Sequence, residues 1–253
     1  MDKANTLGQL YQEAARTGRP LLGGHRGNPA EFPENTLASF RSAIELGCDM
    51  IECDVHMSSD GHLVVIHDHS VDRTTNGTGL VKDMDLTQLR SLDAGRGERL
   101  PLLQEVVDLA RASEVGLCVE IKQLPIPYPD LEPKLIEMLR NAQMVDRTAV
   151  ISFYHPSVLD LKRLEPQLQG GILIEVGVDA GDPVELMRDA RADIYAPYYR
   201  DLTPATVAAV HAAGGVVGVW TVDDDAGVEH CRACRPDSIF TNFPRRIIPK
   251  FRD

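Results

Sequence analysis

The sequence lacks three things that would settle its class at once: an apolar run long enough to span a membrane, a low-complexity tract, and an exact internal repeat. The first absence excludes a helical membrane span. Basic residues are also short, with 26 Lys and Arg against 38 Asp and Glu, a formal charge of −12 and a pI near 5.1. The average field therefore repels nucleic acid and anionic membrane, and a phosphate-bearing substrate needs a local positive site. The five cysteines, Cys48, Cys53, Cys118, Cys231 and Cys234, are odd in number and sit in apolar or helical contexts. That is no disulfide framework, and it suits a reducing compartment. Cys231 and Cys234 make one C-x-x-C without a second pair, which favours structural thiols over metal or redox work. The first twenty residues carry Asp2 and Glu13 and no continuous apolar run, which argues against a signal peptide and for a cytoplasmic location.

What is present is a chain of 253 residues, 43% hydrophobic, enough for one large core or two small ones. Leu7, Leu10, Tyr11, Ala14 and Ala15 recur at helical spacing behind a cap at Asn5 or Thr6. Strands are then expected at 21–25, 49–55, 116–122, 148–153, 170–176, 193–197, 215–220 and 237–241. Helices fall between most of them: 35–46 with Asn35 as cap and Gly47 as stop, 102–113, 131–142, one after Pro156, 183–190, 204–213 and 226–231. Eight such units in a chain of this length point to a closed α/β barrel, with an open doubly wound sheet as the alternative. The rhythm breaks once. After Val55 a long excursion begins with a turn at Ser59, Asp60 and Gly61 and a short strand at 62–67. It reads as a hairpin followed by an insertion, about 57–100, within a single domain covering 1–253.

Chemistry collects at the strand ends. Side chains alternate faces along a strand, so Glu52, Asp54 and His56 share one face, as do Glu120 and Lys122. Buried carboxylates are costly unless paired, hydrogen-bonded or metal-bound. In barrels of this kind active sites lie at the carboxyl ends of strands, where His25, Glu52, Asp54, Glu120, Lys122 and the single tryptophan, Trp220, all fall. The loop GGHRGNPAEFPENT, residues 23–36, has turn formers enough to hold His25 and Arg26 at a strand mouth while Asn35 begins the next helix.

The ordered set HRG (25–27), PENT (33–36), Glu52-x-Asp54, SDGHLVVIHD (59–68), RTTNGTG (73–79), LPLL (100–103), EIK (120–122), WTV (220–222) and TNFP (241–244) resembles the glycerophosphodiester phosphodiesterase family over nearly the whole chain. The resemblance implies a (β/α)8 TIM barrel with a small insertion after the second strand, a divalent metal, and hydrolysis of a small-molecule glycerophosphodiester to glycerol 3-phosphate and an alcohol. By motif, His25 and His67 match the acid/base pair, Glu52, Asp54 and Glu120 the metal ligands, and Arg26 and Lys122 the phosphate-binding residues. Glu34 matches a position near metal and arginine, as ligand, as support or as partner of Arg26. His56 is a candidate support behind Asp54, and Trp220 a candidate wall of the glycerol site. Some family members have Asp where Asn242 stands and Thr where Ser58 or Ser59 stands, departures expected to leave the chemistry untouched.

The residues argue for the same chemistry without the family. Three carboxylates make a hard oxygen site, suited to Mg²⁺ or Ca²⁺, or to Mn²⁺, rather than to zinc. Three carboxylates, one divalent ion, Arg26 and Lys122 sum to a single positive charge, which matches a phosphodiester monoanion; without the ion the sum turns negative. Two histidines can divide the roles of proton donor and acceptor that a poor alkoxide leaving group demands. An H-x-H zinc reading of His67 and His69 lacks further histidine partners, and His155, His211 and His230 read as surface residues. Two other functions compete: a related barrel phospholipase or lyase that forms a cyclic phosphate, and a non-catalytic phosphodiester binder, against which stands the complete residue set. The pocket shape, and so the alcohol group, is not written in the sequence, and neither is oligomeric state; PIPYPD (125–130) is a candidate contributor to the pocket.

Overall fold

The structure, a computed structural model, describes residues 6–252. Nine strands form: β1 (Leu21–Gly24), β2 (Met50–Met57), β3 (Leu63–Val65), β4 (Gly116–Ile121), β5 (Thr148–Ser152), β6 (Gln169–Leu173), β7 (Ile194–Ala196), β8 (Val216–Val219) and β9 (Ser238–Thr241). Eight are parallel and run in the order β1-β9-β8-β7-β6-β5-β4-β2, and β1 also pairs with β2, so the sheet closes. This closure decides between barrel and open sheet in favour of the (β/α)8 barrel. β3 is the extra strand, antiparallel to β2, with Val55 opposite Val65. It is the expected hairpin.

The helices are α1 (Leu7–Thr17), α2 (Leu37–Glu45), α3 (Leu86–Arg90), α4 (Leu103–Ala112), α5 (Leu131–Asn141), α6 (His155–Leu164), α7 (Pro183–Ala190), α8 (Pro204–Ala212), α9 (Asp225–Cys234), α10 (Pro244–Ile247) and α11 (Pro249–Arg252). The short α3, α10 and α11 escape a periodicity reading because four or five residues do not complete an apolar stripe. Thr6 caps α1 through a capping box with Gln9; Asn5 lies outside the described residues. Leu7, Tyr11 and Ala14 of α1 pack with Leu21, Met50 and Phe240, which stoppers the amino-terminal end of the barrel. The carboxyl-terminal end is left for loops. There the insertion folds over its own small core of Val64, Ile66, Val71, Val81, Leu89, Ala94 and Leu100. All five cysteines are buried and unpaired by disulfides, as expected of structural thiols.

One expectation fails. Thr36, not Asn35, caps α2, its hydroxyl accepting from the Ser39 N–H at 3.3 Å. Asn35 is in the left-handed region, with φ of 57°, and its amide turns into the barrel mouth. Two neighbouring residues with capping chemistry cannot both sit at the cap, and the one left over is free for other work.

The passage from β1 into the HRG loop is tight. A Cβ on Gly24 would lie against the Gly27 carbonyl oxygen and 2.8 Å from the Ala43 methyl. Gly24→Ala should therefore destabilise the protein by about 1–3 kcal/mol, the usual scale for overpacking, and lower turnover more than an equally destabilising change in α6, because the strain falls on the loop that carries His25. Urea melts and kinetics on both variants test this; wild-type stability in Gly24→Ala would contradict it.

Candidate active site

The parallel register brings the acids together. Asp54 on β2 pairs with Glu120 on β4, and Glu52 lies two residues earlier on the same inward face. Carboxylate oxygens from Glu52, Asp54 and Glu120 all lie within 4.8 Å of one another, and all three residues are buried. Arg26 has a left-handed backbone, with φ of 54°, which aims its N–H at Glu52 Oε2, 2.8 Å away. Its guanidinium Nε is 3.3 Å from Asp54 Oδ2, and Lys122 Nζ is 2.9 Å from Asp54 Oδ1 while also pairing closely with Glu120. Asn35 donates its Nδ2 to Asp54 Oδ2 at 2.8 Å.

This arrangement splits the acids electrostatically. Burial pushes the Glu52 carboxyl well above the ordinary range, and Asp54 and Glu120 add to the push. Burial likewise raises Glu120, to about 7, although Lys122 opposes it. Burial would raise Asp54 too, but Lys122 and Arg26 together hold it well below the usual carboxylate value. Two side-chain cations thus do not satisfy three buried acids, and Glu52 Oε1 has no hydrogen-bond partner. An orphaned buried oxygen beside two others in an all-carboxylate set fits a hard divalent cation.

The two histidines flank this cluster and are held alike. His25 Nδ1 lies 2.7 Å from Asn242 Oδ1, and its Nε2 is 4.0 Å from Glu52 Oε2. His67 Nδ1 lies 2.6 Å from Asp68 Oδ1. A carboxylate only accepts, so His67 carries its proton on Nδ1 and leaves Nε2 bare when neutral. Burial, with the Arg26 charge beside it, lowers His25 to about 4, and burial lowers His67 too. Behind Asp68 stands Arg73 of the insertion, donating Nε to Asp68 Oδ2 at 2.7 Å and Nη2 to Glu34 Oε1 at 2.7 Å. Glu34 also takes Arg26 Nη1 at 3.0 Å, so it is a partner of Arg26 and stands apart from the acid cluster. His56 is buried behind the site: its Nε2–H donates to the His67 carbonyl at 3.0 Å, leaving Nδ1 to accept from the Tyr128 hydroxyl at 2.9 Å. Tyr128 belongs to the PIPYPD segment, as does Pro125 at the edge of a neighbouring recess.

A cavity of about 500 Å³ opens over these groups, walled by Phe153, Trp220 and Phe243. Trp220 is fixed by Nε1–H donation to the Ala196 carbonyl at 3.0 Å and by an edge-on contact with Phe153, ring centres 5.6 Å apart. A second recess of about 340 Å³ lies beyond His67 and Lys122, bordered by Leu124, Pro125, Tyr154 and Glu175.

The sequence reading named His25, Arg26, Glu52, Asp54, His67, Glu120, Lys122 and Trp220, and the structure gathers all of them around one cavity. It missed the work of Asn35, Asp68 and Arg73, although all three stood inside quoted motifs. Asn242 does not stand apart from the proposed site as expected, since its Oδ1 lies 2.7 Å from His25 Nδ1. Nor are His155, His211 and His230 free surface groups: each is half-buried and bonded, to the Leu173 carbonyl, Asp237 and the Leu202 carbonyl.

A buried carboxylate triad flanked by two histidines at the open end of a (β/α)8 barrel is compatible with a divalent metal and with work on phosphate esters. The model of the glycerophosphoryl diester phosphodiesterase family matches residues 25–246, and the chain belongs to that family. A glycerophosphodiester phosphodiesterase of Caldanaerobacter subterraneus is 38% identical over 91% of this chain and 97% of its own length. One from Bacillus altitudinis is 33% identical over 88% of this chain and 95% of its own. Among solved structures, a glycerophosphodiester phosphodiesterase of Agrobacterium tumefaciens superposes with a TM-score of 0.79 at 30% identity, covering 89% of this chain and 97% of that one. A phosphodiesterase of Oleispira antarctica, in complex with the product sn-glycerol-3-phosphate, superposes with a TM-score of 0.83 at 27% identity, covering 94% and 99%.

Arg73 ties Asp68 to Glu34 and so holds a histidine and an arginine at once. Arg73→Ala should lower kcat and raise KM together, by about tenfold or more each, because one positioned hydrogen bond to a charged group is worth about 1.5–3 kcal/mol. Arg73→Lys, unable to fork, should recover only part of the loss. Steady-state kinetics of both, with melting curves, check this; an unaltered KM in Arg73→Ala would detach Glu34 and Arg26 from the network.

Proposed function

We propose that the chain hydrolyses small glycerophosphodiesters to glycerol 3-phosphate and an alcohol, with Glu52, Asp54 and Glu120 holding a divalent cation. The observation that carries this reading is the pairing of the acid triad with two histidines whose outer nitrogens are both tied back, on the end of the barrel where Arg26 and Lys122 also point. Mg²⁺ or Ca²⁺ suits the all-oxygen set, with Mn²⁺ next. Family membership supports the reaction class, and the product held by the Oleispira relative supports the glycerol 3-phosphate half.

When bound, the ion would supply charge for the three acids and polarise a phosphoryl oxygen. The chain's own residues do the rest. Arg26 and Lys122, with the acids otherwise balanced, are free to grip non-bridging oxygens, the former in a fork and the latter as a point charge. As the new phosphorus–oxygen bond forms, one histidine, neutral and bare at Nε2, takes a proton from the attacking water. As the bond to the alcohol breaks, the other histidine, entering as the imidazolium, gives its Nε2 proton to the departing oxygen, and proton exchange with solvent returns both rings to their starting states. Trp220, Phe153 and Phe243 wall the cavity against water and offer flat faces to the glycerol carbons. Glu34 and His56 serve as supports, for Arg26 and for the His67 backbone. We place this activity in the cytoplasm, in keeping with the five unpaired thiols; among the described residues no helix is long and apolar enough to cross a membrane.

His25→Ala and His67→Ala should each lower kcat by about 10²-fold or more while the protein stays folded. His62→Ala is the control, since His62 is an exposed turn residue whereas His211 is bonded to buried Asp237. Glycerophosphocholine with each divalent ion, followed by identification of the phosphate product, measures this. Near-normal turnover in His25→Ala, or a cyclic phosphate as the final product, would sink the reading.

The ion has its own test in melting. Glu120 is raised to about 7 in the metal-free fold against an ordinary value of 4.5, and Glu52 is raised as well, so below pH 7 protons compete with the ion for these acids. Raised carboxyl values mean that the metal-free fold holds protons the unfolded chain has released, and its stability from these groups falls as pH rises through that window. The rise in melting temperature on adding Mg²⁺ or Ca²⁺ should therefore grow from about pH 4.5 to about pH 7. Asp54→Asn should abolish both the rise and the activity. Melting that ignores the ion at pH 7 after exhaustive chelation would make the triad a structural network.

A further inference from the structure

The proposed reaction leaves one property of His25 open. Its Nδ1 faces the side-chain amide of Asn242, and an amide, unlike a carboxylate, can present either an acceptor or a donor. Which one it presents decides which nitrogen of His25 carries the proton, and so whether Nε2 offers a lone pair to the site or blocks it with hydrogen. Something must fix the amide. Among the described residues a single side chain is within reach of its NH2. Asp223, half-buried in the turn after β8, places Oδ2 at 2.7 Å from Asn242 Nδ2 and Oδ1 at 2.8 Å from the Asn242 backbone N–H. The same Oδ1 accepts from the Thr241 hydroxyl at 3.1 Å, and that hydroxyl in turn accepts from the Phe243 N–H at 3.0 Å. The Asp223 carboxylate is thus locked against the turn that follows β9 by groups other than the Asn242 side chain.

We infer that Asp223 is a positioning residue that sets the tautomer of His25 through Asn242. A carboxylate accepts only, so the Asn242 NH2 must face Asp223 and the Asn242 oxygen must face His25. The oxygen accepts only, so His25 donates from Nδ1 and its Nε2 is bare toward the cavity, 4.0 Å from Glu52 Oε2. No free choice remains once Asp223 is in place. The relay also explains why a neutral amide can stand behind one histidine while a carboxylate, Asp68, stands behind the other: the orientation that Asp68 imposes directly, Asp223 imposes at one remove. The inference rests on His25 exchanging its proton at Nε2, as the proposed reaction requires.

The isosteric change Asp223→Asn reverses the direction of the relay. The new side chain keeps an oxygen on Thr241 and on the Asn242 backbone, and its NH2 now faces the NH2 of Asn242. Two donors cannot share that contact, so Asn242 rotates its amide and presents NH2 to His25. His25 must then accept at Nδ1 and carry its proton on Nε2. The change Asn242→Asp alone is unfavourable for another reason: it sets two carboxylates at the 2.7 Å contact. The double change D223N/N242D restores donor to acceptor at every step and returns the proton to Nδ1 of His25.

The experiment is a set of four proteins, wild type, D223N, N242D and D223N/N242D, assayed on glycerophosphocholine with Mg²⁺ and melted under the same conditions. D223N should lose kcat by about 10²-fold, the scale of a misdirected acid/base group, with KM altered far less and with a near-normal melting temperature. N242D should also lose, and the double variant should recover to within about tenfold of wild type, the reciprocal pattern that coupled neighbours show in a mutant cycle. Nitrogen-15 spectra of the histidine rings, with the His25 signals assigned by their absence in His25→Ala, read the tautomer without reference to activity. The expected result is protonation at Nδ1 in wild type and double variant and at Nε2 in D223N. D223N with wild-type kcat, a double variant no better than the worse single, or an unchanged His25 tautomer in D223N would each overturn the inference. Full activity in His25→Ala would instead overturn the underlying reaction, and the ring spectra would still decide what Asp223 does to His25.

Discussion

Three carboxylates buried within 4.8 Å of one another are the constraint to which the open end of this barrel answers. Like charges at that separation and depth repel strongly, and the fold does not disperse them. It surrounds them instead: Lys122 and Arg26 lean on Asp54, the Arg26 and Asn35 N–H groups bind oxygens of Glu52 and Asp54, and two of the three acids rise above their ordinary range. A purely structural network would have ended with charges matched and oxygens satisfied. Here two of the acid oxygens, Glu52 Oε1 and Asp54 Oδ1, have no hydrogen-bond partner and one acid charge exceeds the two cations, a state compatible with a divalent ion.

The same constraint shapes the backbone around it. Arg26 and Asn35 both take left-handed φ values, uncommon for residues with a Cβ, and both do so to point polar groups at the acids. The insertion after β3 is drawn in by the same need. Its Arg73 reaches over to Glu34 and Asp68, so the charge that orients Arg26 and the charge that orients His67 share a single guanidinium. A small core of its own keeps that segment from being a free lid.

The first ring of side chains was legible in the sequence because its requirements are local. Glu52-x-Asp54 and Glu120-x-Lys122 declare themselves through strand periodicity, since two acids on one buried face need a reason. Counting strand and helix units pointed to a closed barrel but left the open sheet standing; the pairing of β1 with β2 is what decides it. What was hidden depends on partners far along the chain. Nothing within PENT says which of Asn35 and Thr36 caps the helix, because the answer lies on β2, 19 residues away at Asp54. Nothing in TNFP says that Asn242 will meet His25, 217 positions distant. The same distance effect misplaced three histidines on the surface, since His211 finds Asp237, just ahead of β9, only once α8 has packed on β8, the neighbour of β9.

The two histidines show how far such indirect contacts reach into chemistry. Both must leave Nε2 to the cavity, and each has its Nδ1 tied to an oxygen. His67 is backed by Asp68, whose charge Arg73 largely absorbs, while His25 is backed by an amide that brings no charge of its own. The site already holds more negative charge than its side-chain cations offset, so a further naked carboxylate near Glu52 would deepen the excess. An amide oriented from behind gives the hydrogen-bond direction of a carboxylate and moves the charge one residue outward, to Asp223, where a hydroxyl and a backbone N–H receive it. Two ways of backing a histidine in one active site are therefore two answers to one electrostatic limit, the excess of negative charge on the buried acids.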